Sequence, residues 1–189
     1  ILGGERNTKK IEGFNLGNSP LEYKPEIVSG KSIILYTTNG TKAIVKAKFS
    51  ENLYICCFNN LPAIADQLLK LNKDVEIICG GSNGNFNMED AVCAGNLISE
   101  LQKVDKIIEI TDSGRASSIL FKSFGKSIAK MLKQTEHGKL LIENGFTADI
   151  KECAQFGTTD LIPYYISGAI KKLEIAAPLN DNVNEPKTS

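Results

Sequence analysis

Apolar positions fall in short dense runs that alternate with stretches of helical period. Residues 32–38 (SIILYTT) are β-branched and aromatic enough to predict a strand; Asn39-Gly40 breaks the run, and residues 41–49 read as a helix. The strand signal returns at residues 53–58 (LYICCF). A second helix then starts at Asn60, with Pro62 in its first turn and Leu61, Ile64, Ala65, Leu68 and Leu69 forming a 3.6-residue stripe. Residues 75–79 (VEIIC) predict a third strand, which enters a Gly/Asn loop over residues 80–87. A third helix covers residues 88–103 and buries Ala91, Ala94, Gly95, Ile98 and Leu101. Beyond it the pattern is helical in pieces, through residues 117–133 and 147–156, and residues 161–166 return as a late strand.

Apolar strands separated by helices predict an α/β fold of βαβ type, with mainly parallel or mixed pairing and helices over the sheet. One domain over residues 1–177 is expected, followed by a polar tail at residues 178–189 with no core pattern. The chain opens on Ile1-Leu2-Gly3-Gly4, which reads as a cut through a strand's end with an upstream segment missing.

Lysine plus arginine equals aspartate plus glutamate at 22 each, so no basic surplus exists to hold a nucleic-acid backbone or an anionic membrane surface. A small anionic ligand in a local pocket is compatible with that balance, and so is a homo-oligomer. The five cysteines are odd in number and form no CxxC pair, which predicts reduced structural thiols and a cytoplasmic protein. With His137 as the only histidine, neither a zinc site nor a histidine-based triad has enough material. These residues contain no charged-then-apolar leader pattern and no membrane-length apolar run, so neither is expected to shape this domain.

Several motifs imitate nucleotide binders and fail. Gly30-Lys31-Ser32 and Gly125-Lys126-Ser127 have Pro25 and Leu120 where a P-loop needs its first glycine, and residues 80–84 (GGSNG) do not spell a dinucleotide fingerprint.

Four constellations could carry chemistry. In Gly3-Gly4-Glu5-Arg6-Asn7 the glycines could free the backbone to approach a ligand and Arg6 could fork onto an oxyanion, or the segment is a solvated turn. Residues 10–20 are rich in Gly and Asn, with Glu12 as a carboxylate, and suit either an ion-binding loop or a structural one. Thr37-Thr38-Asn39-Gly40-Thr41 joins a strand to a helix N-terminus, where anions are favoured, with Thr41 or Asn39 as the expected cap. Glu89 and Asp90 open the third helix and offer hard oxygen to Mg²⁺, although the helix dipole alone would welcome them.

Taken in order, these segments resemble the 2-phosphosulfolactate phosphatase family. The resemblance is carried by Gly-Gly-Glu-Arg-Asn at residues 3–7, Ile-Glu-Gly-Phe at 11–14 and Leu-Gly-Asn-Ser-Pro at 16–20. It continues through Thr-Thr-Asn-Gly-Thr at 37–41 and Glu-Asp-Ala-Val-Cys-Ala-Gly at 89–95. It implies a three-layer α/β/α fold and a Mg²⁺-dependent hydrolase that converts 2-phosphosulfolactate to sulfolactate, a step in making coenzyme M. It also implies an upstream segment with an Asp and an Arg-Ala-Thr-Thr-like run that this sequence lacks. In that setting Glu12, Glu89 and Asp90 become metal-ligand or water-activating candidates. Arg6 and the turn of Thr38, Asn39, Gly40 and Thr41 become oxyanion binders, with Asn18 and Ser19 as further polar contacts. No side-chain nucleophile stands out, which favours direct attack by water. The reading from another class is a non-catalytic module that binds a small phosphorylated or sulfonated acid.

Overall fold

The computed structural model describes residues 1–174, so the expected polar tail lies outside the described residues. The N-terminal part comprises β1 (Leu2–Arg6), β2 (Lys9–Lys10), a short helix α1 (Pro25–Val28), β3 (Ile34–Tyr36) and α2 (Gly40–Ala47). The helical body follows as α3 (Leu61–Leu71), α4 (Met88–Val104), α5 (Asp112–Phe124), α6 (Ile128–Gln134), α7 (Glu136–Glu143) and α8 (Thr147–Cys153), and a hairpin of β4 (Pro163–Ile166) and β5 (Ala169–Lys172) comes last.

The α/β class is correct, with mixed pairing. β1 lies between β2, which is antiparallel to it, and β3, which is parallel with Leu2 opposite Ile34 and Gly4 opposite Tyr36. The loop after β2 runs back along β1: Leu16 N–H donates to Leu2 O, and Gly4 N–H donates toward Leu16 O and Gly17 O. This close approach is what the paired glycines permit. A Cβ on Gly3 would stand 2.2 Å from the Tyr23 hydroxyl, and one on Gly4, at φ +142°, would stand 1.9 Å from the Tyr36 carbonyl oxygen. The expectation that these glycines clear a path for a ligand is thereby corrected; both are buried, and they clear a path for neighbouring backbone.

Two expected strands form no ladder. Residues 53–58 make a single bridge, Tyr54 to Tyr164, flanked by hydrogen bonds from Ile55 N–H to Pro163 O and from Tyr165 N–H to Leu53 O. Residues 75–79 have no strand partner among the described residues. An apolar run reports a tendency to be buried, whereas a strand also needs a neighbour offering N–H and C=O groups in register. The late strand is present and shorter than expected, and it turns at Ser167-Gly168, both at positive φ, into the unforeseen β5.

The core lies between α3, α4, α6 and α8, where Leu61, Ile64, Val92 and Ile150 are almost completely buried, with Phe58, Met131 and Ile162 packed around them. Each such side chain contributes about 1.5–3 kcal/mol on burial. The predicted stripe of α4 is buried as expected. Helix α5 begins earlier than its apolar pattern, because Thr111 Oγ1 accepts a hydrogen bond from Gly114 N–H and caps it. Asn60 is buried and ties the unpaired run to the hairpin, donating to Ile55 O and Leu161 O while accepting from Cys57 N–H. All five cysteines are free thiols, but Cys57, Cys79 and Cys153 are exposed, so the expectation of structural thiols is corrected for these three. No described helix is long and apolar enough to cross a membrane.

Candidate active site

Four of the five motif segments, all but that at residues 11–14, converge on one cavity of about 590 Å³, within the range of small-molecule sites. Glu5 is its organising carboxylate. One oxygen accepts from Thr38 N–H and Thr38 Oγ1, both at 2.8 Å, and the other from Thr8 N–H at 3.0 Å. These bonds pin the end of β1 to the turn between β3 and α2. Burial pushes the Glu5 carboxyl up, but the Thr38 and Thr8 donors together outweigh it and hold it below its ordinary value. The stability this contributes is present above the unfolded carboxylate value and is lost as pH falls through the lower folded value. Glu5→Gln, which turns one acceptor oxygen into a donor facing a donor, should cost about 1–3 kcal/mol in urea unfolding at neutral pH. An unchanged midpoint there would show that these bonds contribute nothing.

The turn itself is capped by Thr37, the residue that follows β3. Thr37 Oγ1 accepts from Thr41 N–H at 3.1 Å, and Thr41 Oγ1 donates back to Thr37 O at 2.9 Å. Neither expected cap, Thr41 or Asn39, caps α2 through its side chain. Asn39 Oδ1 instead accepts from Asn83 N–H at 3.0 Å and draws the Gly/Asn loop to the cavity rim. That loop is held from its other side by Asp90, whose Oδ2 accepts from Gly81 N–H at 2.7 Å. Burial raises the Asp90 carboxyl despite this bond, and the Glu89 charge adds to the rise.

Glu89 and Asp90 are neighbours on α4 and face different ways, as the roughly 100° step of a helix requires. Glu89 lines the cavity and accepts at 2.6 Å from the hydroxyl of Thr135, the residue that also caps α7 through a bond from Gly138 N–H. Asp90 lines a separate hollow of about 880 Å³ beside the unpaired runs, whose wall mixes apolar side chains with charged ones such as Lys46, Glu51, Lys73 and Asp74 and holds no other residue of the recognised motifs except Cys93 and Ala94 of α4. The smaller cavity carries the convergent polar groups and is the better candidate site.

In the same wall as Glu5, Ser19 Oγ donates to Asp149 Oδ1 at 2.8 Å, joining side chains 130 residues apart, both buried. Asn18, His137 and Cys153 complete the polar wall. Partial burial of the Cys153 sulfur, and then the Asp149 carboxylate one turn earlier, raise its thiol to about 11, which removes it as a nucleophile near neutral pH.

Of the expected site residues, Asn18, Ser19, Thr38, Asn39, Gly40 and Glu89 are brought together, and Thr41 stands behind them as a brace. Arg6 is not in the wall. Successive strand residues point to opposite faces, and with Glu5 turned to the cavity the Arg6 guanidinium lies over the Tyr36 ring, 5.7 Å from its centre. Glu12 is exposed and outside the wall, so the carboxylates of Glu12, Glu89 and Asp90 do not gather around one point. Among the described residues no three His, Cys, Asp or Glu side chains form a ready metal cluster. The wall also holds Glu5, His137 and Asp149, which the sequence does not single out as site residues: Glu5 lies within a recognised motif, whereas nothing local marks Asp149.

Comparison with known proteins agrees with this assembly of motifs. Residues 1–168 match the family model described as 2-phosphosulpholactate phosphatase. A Symbiobacterium thermophilum protein named probable 2-phosphosulfolactate phosphatase is 38% identical over 174 residues, covering 92% of this chain and 75% of its own. A protein of the same name from Caldanaerobacter subterraneus subsp. tengcongensis is 40% identical over 171 residues, covering 90% and 70%. Another, from Clostridium botulinum, is 38% identical over 173 residues, covering 92% and 72%.

Proposed function

Because this chain belongs to the 2-phosphosulfolactate phosphatase family of phosphoric monoester hydrolases, we propose that it hydrolyses the phosphate ester of 2-phosphosulfolactate, or a similar small anionic 2-phospho acid, with Mg²⁺. The products are sulfolactate and phosphate. The same reading includes the three-layer α/β/α arrangement, supported by the parallel pairing of β1 with β3.

The observation that carries the metal requirement is the charge of the cavity wall. Glu5, Glu89 and Asp149 line it, no lysine or arginine does among the described residues, and His137 is the only side chain there able to carry positive charge. The substrate brings phosphate, carboxylate and sulfonate. Two like charges 4 Å apart repel by about 1 to 4 kcal/mol between bulk water and a protein surface, so such a wall disfavours the substrate unless a cation accompanies it. Mg²⁺ suits this setting because it is held by one or two carboxylates together with substrate phosphate and water, and needs no protein cage.

Glu89 is the residue that would hold it. Glu5 has both oxygens engaged with Thr8 and Thr38, while Glu89, the one expected metal candidate in the wall, keeps an oxygen open beside the one that Thr135 occupies, as Asp149 does beside the one that Ser19 occupies. A bound Mg²⁺ supplies neutralisation of phosphoryl charge. The chain's own groups supply position: the Thr38–Asn39–Gly40 turn presents the positive end of α2, and Asn18 and Asn39 offer amides to the acid's oxygens. Leu140, Leu141 and Phe146 form the apolar side of the wall and limit water.

The test is metal removal and return. Turnover should fall to background in EDTA and recover with Mg²⁺ better than with Zn²⁺, since the wall offers oxygen and a single imidazole. Full activity in EDTA would overturn the metal assignment.

A further inference from the structure

The hydrogen bond between Ser19 and Asp149 has a polarity, and the polarity decides what Ser19 can do. A serine hydroxyl has one proton and two lone pairs. The Asp149 carboxylate can only accept, so the Ser19 proton is committed to Oδ1, 2.8 Å away. What Ser19 presents to the cavity is therefore lone pairs alone. Both side chains are buried, at 8% and 9% exposure, so bulk water does not readily compete for that proton.

Under the proposed function, the substrate carries phosphate, carboxylate and sulfonate, all of them acceptors near neutral pH. An acceptor-only hydroxyl has no partner among them. The groups in that reaction able to donate to Ser19 are waters, and the water whose direction the chemistry needs fixed is the one that attacks phosphorus. We infer that Ser19, its proton held by Asp149, positions the hydrolytic water, and that Asp149 is a positioning residue acting through Ser19. This inference rests on the phosphatase reading and changes the role of Ser19 from substrate contact to water holder.

The chemistry needs nothing more from the pair. Phosphoryl transfer passes through a loose transition state in which the water is oriented but still holds most of its proton, so alignment of its lone pair with phosphorus is the main requirement. A water donating one hydrogen to Ser19 Oγ has its direction set by that bond. The bond from water oxygen to phosphorus forms as the ester P–O bond breaks; one hydrogen of the water stays with the phosphate formed and the other passes to the departing oxygen, which becomes the hydroxyl of the 2-hydroxy acid.

The test is a double-substitution cycle on the full chain with 2-phosphosulfolactate and Mg²⁺, read as kcat, KM, and thermal stabilisation by added sulfolactate. Ser19→Ala should lower kcat at least about tenfold, the effect of roughly 1.4 kcal/mol, with KM within about twofold, because Ser19 touches water and not substrate. Sulfolactate should stabilise the variant as much as the unaltered protein. Ser19→Thr, which keeps the hydroxyl, should recover most of the rate. Asp149→Ala should lower kcat alone, yet add little once Ser19 is alanine, since the two act as one unit. If Ser19→Ala fails to fold, Ser19→Cys carries the same test with a weak sulfur acceptor of similar length.

A raised KM with unchanged kcat, or additive losses in the cycle, would overturn the inference while leaving the phosphatase reading standing. Absence of turnover by the unaltered protein would overturn both.

Discussion

Glu89→Gln should lose Mg²⁺-dependent phosphate release by about 100-fold, at the upper end of losses when a metal's protein partners are disturbed. The amide preserves length and can still accept from Thr135, so the tie to α7 and the melting temperature should be nearly unchanged. What disappears is the charge on a cavity carboxylate that keeps one oxygen open. Asp90→Asn should behave differently: its amide oxygen can still accept from Gly81 N–H, and its side chain faces the other hollow, so activity should stay within a few-fold. Parallel assays of kcat against Mg²⁺ concentration separate the two. Equal, small effects would reduce Glu89 to an N-terminal helix carboxylate with no part in metal binding, worth about 0.3–1 kcal/mol of stability.

Gly4→Ala is expected to have the largest effect on stability. Its φ of +142° is a region open essentially to glycine, and the added methyl would meet the Tyr36 carbonyl at 1.9 Å, a backbone atom that no side-chain rotation can move. Strain of about 1–3 kcal/mol and overpacking of about 1–3 kcal/mol act together there. The β1–β3 pairing would have to part, and with it the placement of Glu5 against Thr38. Denaturant unfolding should show a loss of several kcal/mol, with activity falling alongside. A variant that unfolds at the usual midpoint would show that the sheet tolerates the methyl.

What the sequence reveals depends on how local the determining interaction is. Helices α3 and α4 are legible because their periodic stripes, Asn60, Pro62 and the acidic first turn of α4 lie within each helix. The residue 53–58 and 75–79 runs mislead because hydrophobicity does not specify a ladder partner. In the site, the Thr37–Thr41 turn and the Asn18-Ser19 segment are found as motifs, since tight turns impose their residues locally. Arg6 is misplaced although its motif is recognised: the alternation of β1 lets Glu5 or Arg6 face the cavity, and the donors of Thr8 and Thr38, which select Glu5, come partly from another element. Asp149 is invisible for a related reason, its partner being 130 residues away.

The most direct measurement incubates the protein with 2-phosphosulfolactate and Mg²⁺ and follows inorganic phosphate and sulfolactate together. The account predicts that both appear in equal amounts, over many turnovers, and that both stop when EDTA is added. It would be contradicted if 2-phosphosulfolactate and related 2-phospho acids raised the melting temperature while neither product formed, the behaviour of a binding module.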